Sequence, residues 1–241
     1  LNYIFFRLQL IYKIQLYERE SAVIFDEVQK CPLARQAIKH LVKDHRYDYI
    51  ETGSLISVRK SSVDIVIPSE ETKIDMFPMD YEEFKWALGD TVTIPLLHTA
   101  FDKRMALGDS IHRRMMRDFR LYMLIGGMPQ AVAEYIKTNN MEAVDMVKRD
   151  IIALYEEDFN KIDDTERASA MFDAIPALLS KNSLRYKVSS AIPGEKLGRV
   201  ESIIKMMENS MTVNVAYHAN DPNAGLALTR DNEYFKMYVG D

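Results

Sequence analysis

Cysteine is almost missing from this sequence: Cys31 is the only one in 241 residues. A single cysteine cannot build an internal disulfide framework or a multi-cysteine zinc site, and it fits a reducing compartment, so the expected location is cytoplasmic. Also missing is any apolar run close to the roughly 20 residues that span a bilayer. The opening "LNYIFFRLQLIYKIQL" is apolar, but Arg7 and Lys13 interrupt it and no small-residue cleavage site follows. No membrane partner is therefore expected. There is no excess of basic charge either. With 31 Lys and Arg against 36 Asp and Glu the formal net charge is -5, which leaves no global footprint for nucleic acid or an anionic surface. A local basic face stays open. The five histidines, His40, His45, His98, His112 and His218, show no metal-ligand spacing. What the chain does have is 47% hydrophobic content, enough core for one large or two modest domains.

Residues 2–18 place Ile4, Phe5, Leu8, Ile11, Tyr12 and Leu16 near helical spacing, which predicts an amphipathic helix. "AVIFDE" (22–27) is a short run of β-formers and reads as a buried strand. Pro32 opens the helical "PLARQAIKHLVKD". "YDYIETGS" (47–54) and "KIDMFPM" (73–79) read as second and third strands, an order that suggests parallel βαβ units. Asp80 can cap the helix "YEEFKWALG", closed by Gly89. Beyond residue 90 the pattern is helical to about residue 181, with segments near 97–106, 110–124, 129–138, 140–160 and 165–181. Then come a helix over 195–210 and strands at "MTVNVAYH", "LALT" and "YFKMYVG". Helices followed by a hairpin form the pattern of a winged helix.

The chemistry concentrates where the first strand ends, in Asp26 and Glu27. An acid at a strand's carboxyl end can organise Mg²⁺, which keeps most of its waters, and a following Glu can polarise an attacking water. Taken alone, a cap-forming acid explains the same letters. The second strand also ends in polar residues, Thr52 and Ser54, which could face a terminal phosphate or simply cap the next segment.

Five stretches in order carry a resemblance: "IYKIQLYERESAVIFDEVQKCPLARQAIKHL", "YDYIETGSLISV", "FPMDYEEFKWALGD", "YMLIGGMPQAV" and "VKRDIIALYEEDFNKI". Together they resemble a family of prokaryotic AAA-type predicted ATPases, a P-loop module followed by a C-terminal domain of unknown function. The resemblance implies an α/β plus α fold: a partial P-loop parallel sheet, a helical lid, then a winged-helix domain. The corresponding boundaries are 1–90 for the C-terminal part of the P-loop ATPase core, 91–164 for the lid or linker and 165–241 for the winged-helix-like part. It implies ATP and Mg²⁺ as ligands, with Asp26 organising the metal and Glu27 as catalytic base. Thr52 or Ser54 would be the sensor, and Gly126, Gly127 and Pro129 would form a lid motif against the nucleotide. AAA modules commonly work as assemblies, so a homo-oligomer is among the implied partners.

The pattern GxxxxGK[ST], whose backbone N–H groups cradle phosphates, does not occur in the sequence. The family places it upstream of the first strand, so the chain reads as an N-terminally truncated member that by itself binds nucleotide poorly. A restriction-endonuclease-like domain follows in longer relatives and is expected after residue 241. Arg59 is a candidate trans-acting finger, with a solvated surface arginine as the plainer explanation. The alternative function is a nucleic-acid- or protein-binding module. In it Lys196, Arg199 and Lys205 on the recognition-helix candidate would touch DNA, although Glu195, Glu201 and Glu208 nearly balance them. "HRRMMRDFR" (112–120) is the most basic stretch, readable as a phosphate contact or as a charged helix face.

Overall fold

A computed structural model of the chain describes residues 2–53, 72–181, 183–221, 223 and 225–241. It forms two compact units, one ending at Asp75 and one spanning Met76–Asp241.

The first unit is a small α/β layer. Helix α1 (Asn2–Tyr12) leads to strand β1 (Ala22–Phe25), a single 3-10 turn (Val28–Lys30), helix α2 (Pro32–Lys43) and strand β2 (Asp48–Glu51). The strands pair in parallel, with Ala22 opposite Asp48 and Phe25 opposite Glu51. The helical crossover between them is what a parallel pair requires. Phe5 and Leu8 of α1, and Ile38, Leu41 and Val42 of α2, pack on Val23, Phe25 and Tyr49. Strand side chains alternate faces, so Ile24 and Ile50 point the other way and remain 61% and 48% exposed. The first strand is thus covered on one face within this unit, where the sequence pattern predicts burial on both.

The second unit opens without the expected third strand. Residues 72–80 carry no regular secondary structure. Helix α3 (Tyr81–Ala87) follows, with a full capping box: Glu83 N–H donates to the Asp80 carboxylate at 2.8 Å, and Asp80 N–H donates to the Glu83 carboxylate at 3.0 Å. Gly89, at φ 82°, lies just beyond its end. Four helices continue the unit: α4 (Thr93–Asp102), α5 (Asp109–Ile125), α6 (Pro129–Thr138) and α7 (Met141–Ile162). Phe84 of α3, Ile125 of α5, Ala131 and Val132 of α6 and Val144 of α7 form one core.

Next come α8 (Arg167–Ser180), the short α9 (Val188–Ala191) and α10 (Leu197–Asn209). Strands β3 (Val213–Ala219) and β4 (Arg230–Val239) close the chain as an antiparallel pair, with a four-residue helical turn α11 (Leu226–Thr229) between them. "LALT" is therefore helical rather than extended. The β3–β4 register runs from Val213 opposite Val239 to Tyr217 opposite Phe235, then shifts so that His218 faces Asp231. Met171, Ile175, Val200, Met207, Val213 and Met237 are all buried. Among the described residues no helix is long and apolar enough to cross a membrane.

Candidate functional site

Parallel register brings the two strand ends together. Asp26 and Thr52 each stand one residue past a paired position, Phe25 opposite Glu51. The backbone continues the ladder there: Thr52 N–H donates to the Phe25 carbonyl at 3.0 Å, and Val28 N–H to the Thr52 carbonyl at 3.0 Å. The Thr52 hydroxyl donates to Asp26 Oδ1 and accepts from the Glu27 N–H at 3.3 Å. One hydroxyl thus fixes both the carboxylate of Asp26 and the peptide of Glu27.

Glu27 itself is in the left-handed region, at φ 50° and ψ 49°. That conformation costs a non-glycine residue roughly 1–2 kcal/mol and persists only when neighbours determine it. Three contacts do so here: the Thr52 hydroxyl, the Val28–Thr52 backbone bond, and an ion pair between the Glu27 carboxylate and Lys30 Nζ. Both side chains of the pair are largely exposed, so it contributes at most about 1 kcal/mol. Its effect is to direct the carboxylate. An open cleft of about 440 Å³ lies here, lined in part by Phe25, Asp26, Glu27, Lys30, Cys31 and Ala34.

Sequence reading found Asp26, Glu27 and Thr52, and the structure brings all three together. Ser54 and Arg59 lie outside the described residues. Lys30 and Cys31 were missed as cleft residues. Lys30 stands three positions after Glu27, a spacing that pairs charges across a helical turn, and that signal was available. The left-handed turn at Glu27 had no sequence signal, since Gly, Asn or Asp normally announces it.

Among the described residues no three His, Cys, Asp or Glu side chains gather to enclose a metal. The site does fit Mg²⁺ of the kind that keeps its waters and touches one carboxylate: Asp26 is exposed, and one of its oxygens takes the Thr52 hydroxyl.

In the second unit, Gly126 and Gly127 join α5 to α6 and Pro129 is the first residue of α6. Gly126 has φ 85°. Gly127 is buried, and a Cβ there would run into the Met79 backbone. Met79 N–H donates to the Gly127 carbonyl at 2.8 Å, while the Tyr122 hydroxyl donates to the Met79 carbonyl at 2.9 Å. Burial, and then the Asp241, Asp80 and Glu83 carboxylates, push the Tyr122 phenol up. The N–H groups of Gly127 and Met128 donate to the Asp241 carboxylate at 2.5 and 3.1 Å. An acid at the start of a helix satisfies orphan donors and suits the dipole. Sequence reading did not single out Asp241.

Lys196, Arg199 and Lys205 are exposed at and along α10, whose Val200, Ile204 and Met207 are buried. Glu195 lies 3.7 Å from Arg199 and 3.5 Å from Arg167, so part of that charge is balanced within the unit.

Two family models match the chain. Residues 2–85 match that of an AAA domain, and residues 116–241 match that of a domain of unknown function (DUF8612). No curated protein and no solved structure matches it.

Proposed function

The chain belongs to the DUF8612 family and carries an AAA-type ATPase-like module ahead of that domain, and on this premise we propose that the module takes part in Mg²⁺-dependent ATP hydrolysis. The observation that carries the reading is the Asp26–Thr52–Glu27 constellation at the carboxyl ends of two parallel strands, where ligands of open α/β sheets bind. Asp26 is the residue to hold Mg²⁺, with Thr52 keeping its carboxylate turned to one side. Bound there, the ion supplies charge neutralisation on the phosphates. Glu27 is the base: its carboxylate borders the cleft and can accept a proton from a water placed beside it. Thr52, whose hydroxyl bonds the Asp26 carboxylate and the Glu27 N–H, is the sensor, and Ser54 shares that assignment. Gly126, Gly127 and Pro129 are the lid motif in this reading. In this reading residues 1–90 are the C-terminal part of the P-loop ATPase core, 91–164 the lid or linker, and 165–241 a winged-helix-like part.

Calorimetric titration of Mg²⁺–ATP tests this in two proteins: the 241-residue chain, and a longer one carrying a P-loop βα unit of at least about 30 residues ahead of it. Binding confined to the longer protein supports the reading, and Glu27→Gln there should abolish turnover while binding survives. Absence of binding in both, or loss of binding in Glu27→Gln, refutes it.

A second reading rests on the outward cations of α10. In it the winged-helix-like part grips DNA through Lys196, Arg199 and Lys205, and Lys196→Ala with Arg199→Ala abolishes a salt-sensitive DNA complex. Binding unchanged by both substitutions removes it.

A further inference from the structure

Helix α5 carries the chain's most basic stretch, and the structure separates its charges. Its inward side chains, Leu121, Tyr122 and Ile125, join the core with Phe84, Ala131 and Val132. Asp118, the acid inside the arginine run, also turns inward: its carboxylate lies 3.1 Å from the buried Lys85 ammonium. Four arginines remain exposed; Arg113, Arg117 and Arg120 share the outer side, and Arg114 stands about 100° round the helix from Arg113. The three on the outer side are spaced i, i+4 and i+7, so they form one ridge. Among the described residues their counter-contacts are slight. Arg113 Nε donates to the Asp109 carbonyl at 3.3 Å, Arg117 Nε lies 3.7 Å from Asp118, and Arg120 has no carboxylate within 4.0 Å. One turn after Arg120 the ridge reaches Leu124, whose carbonyl accepts from Lys148 Nζ at 2.9 Å. A fourth cation, from α7, therefore sits at the ridge's end.

We propose that this ridge, Arg113–Arg117–Arg120 with Lys148 at its end, docks the phosphate backbone of a nucleic-acid duplex. At 1.5 Å per residue the three arginines span roughly 10 Å, about the length of duplex axis over which one strand presents three phosphates at 3.4 Å of axis each. Guanidinium groups give phosphate a planar pair of donors. A single strand is the poorer fit because it needs aromatic platforms, and the helix's Phe119 and Tyr122 rings pack with Tyr81 instead. A bilayer is poorer too: an interfacial helix needs one continuous apolar face, whereas Leu121, Tyr122 and Ile125 are spent on the core and the exposed Ile111, Met123 and Leu124 stand on different sides of the helix. The ridge belongs to the second unit and the strand-end acids to the first, and none of its argument uses those acids, so it stands whether or not the chain hydrolyses ATP.

The test is fluorescence anisotropy of a labelled 20-base-pair duplex DNA with the 241-residue chain, without nucleotide, at 50 and 200 mM salt. Each neutralised phosphate adds about -0.9 to the log–log salt slope, so three arginines account for about a 40-fold loss of affinity across that range. Arg113→Gln/Arg117→Gln/Arg120→Gln should bind more weakly and lose that share of the slope, with its circular dichroism spectrum unchanged. Lys181→Gln/Lys187→Gln, two exposed cations elsewhere in the unit, should bind as the parent does. Four results would overturn the proposal: no duplex binding by the parent, equal binding by the folded triple variant, tighter binding of a single strand than of the duplex, or arginine-dependent binding of phosphatidylserine vesicles but not DNA.

Discussion

Lys85→Met is the sharpest probe of the second unit. The Lys85 side chain is 7% exposed, and its ammonium reaches Asp90 at 3.0 Å and Asp118 at 3.1 Å, tying α3 to the start of α4 and to α5. Burial alone would lower the Lys85 pKa, but the hydrogen bonds to Asp90 and Asp118 outweigh it and the net shift is upward. Asp90 is held well below the ordinary carboxylate range, first by Thr93 through its hydroxyl and N–H and then by Lys85. Methionine keeps the apolar stem and deletes the charge, which leaves two carboxylates facing each other. Removing one partner of a buried pair costs about 3–5 kcal/mol. Both acids here keep partial access to water, and Asp90 retains its Thr93 bonds, so the low end applies, roughly 3 kcal/mol. With a urea slope of about 2 kcal/mol/M the midpoint falls by about 1.5 M. The only tryptophan, Trp86, is the next residue, so its fluorescence reports this melt locally. The sign with pH follows from the shifts. A depressed Asp90 pKa gives stability that is present above the unfolded value near 4 and is lost as pH falls through the folded value. The parent–variant gap should therefore be full at pH 7 and narrow as pH falls below about 4 toward the depressed folded value of Asp90. A midpoint shift under about 0.5 M at pH 7 would refute the buried-triad argument.

Thr52→Val removes the hydroxyl that serves both Asp26 and the Glu27 N–H; it should lower stability by about 1 kcal/mol in a urea melt. In a nucleotide-binding version it should reduce kcat more than KM, and an unchanged kcat would end its sensor role. Tyr186→Phe removes the buried bond that the Tyr186 hydroxyl donates to the Met171 carbonyl at 2.6 Å, at a cost of about 1 kcal/mol by calorimetry. Burial holds the Tyr186 phenol well above its ordinary range, so its stabilising contribution is full below about pH 10 and is lost as pH rises further. Absorbance titration should show one of the 13 tyrosines ionising only as the chain unfolds. Gly127→Ala drives a Cβ into the Met79 backbone and should destabilise the second unit by about 1–3 kcal/mol, whereas Gly198→Ala, in open space on α10, should be neutral or slightly stabilising.

Where local chemistry decides a conformation, the sequence was legible. Asp80 and Gly89 bracket α3 because capping depends on residues within one turn. The β1–α2–β2 crossover followed from a run of β-formers, Pro32 and a strongly amphipathic helix. Asp26, Glu27 and Thr52 were legible as a group because parallel strands present their ends at one edge. "KIDMFPM" was misread since strand pairing is not local. Met79 bonds instead to Gly127 and Tyr122, and Met76 and Phe77 are exposed. "LALT" shows the ambiguity of a short apolar run, which carries no period to separate helix from strand. The Asp241 contact was out of reach, because it joins residues more than 110 positions apart.

Glu27 sets stability against chemistry. Its left-handed backbone would be eased by glycine or asparagine, which adopt that conformation at little cost. A selection for thermal tolerance alone should therefore enrich Glu27→Gly or Glu27→Asn, and the sturdier protein it returned would have discarded the acid beside its own cleft. Any effort to harden this chain for crystallisation should hold position 27 fixed and look for its gains elsewhere.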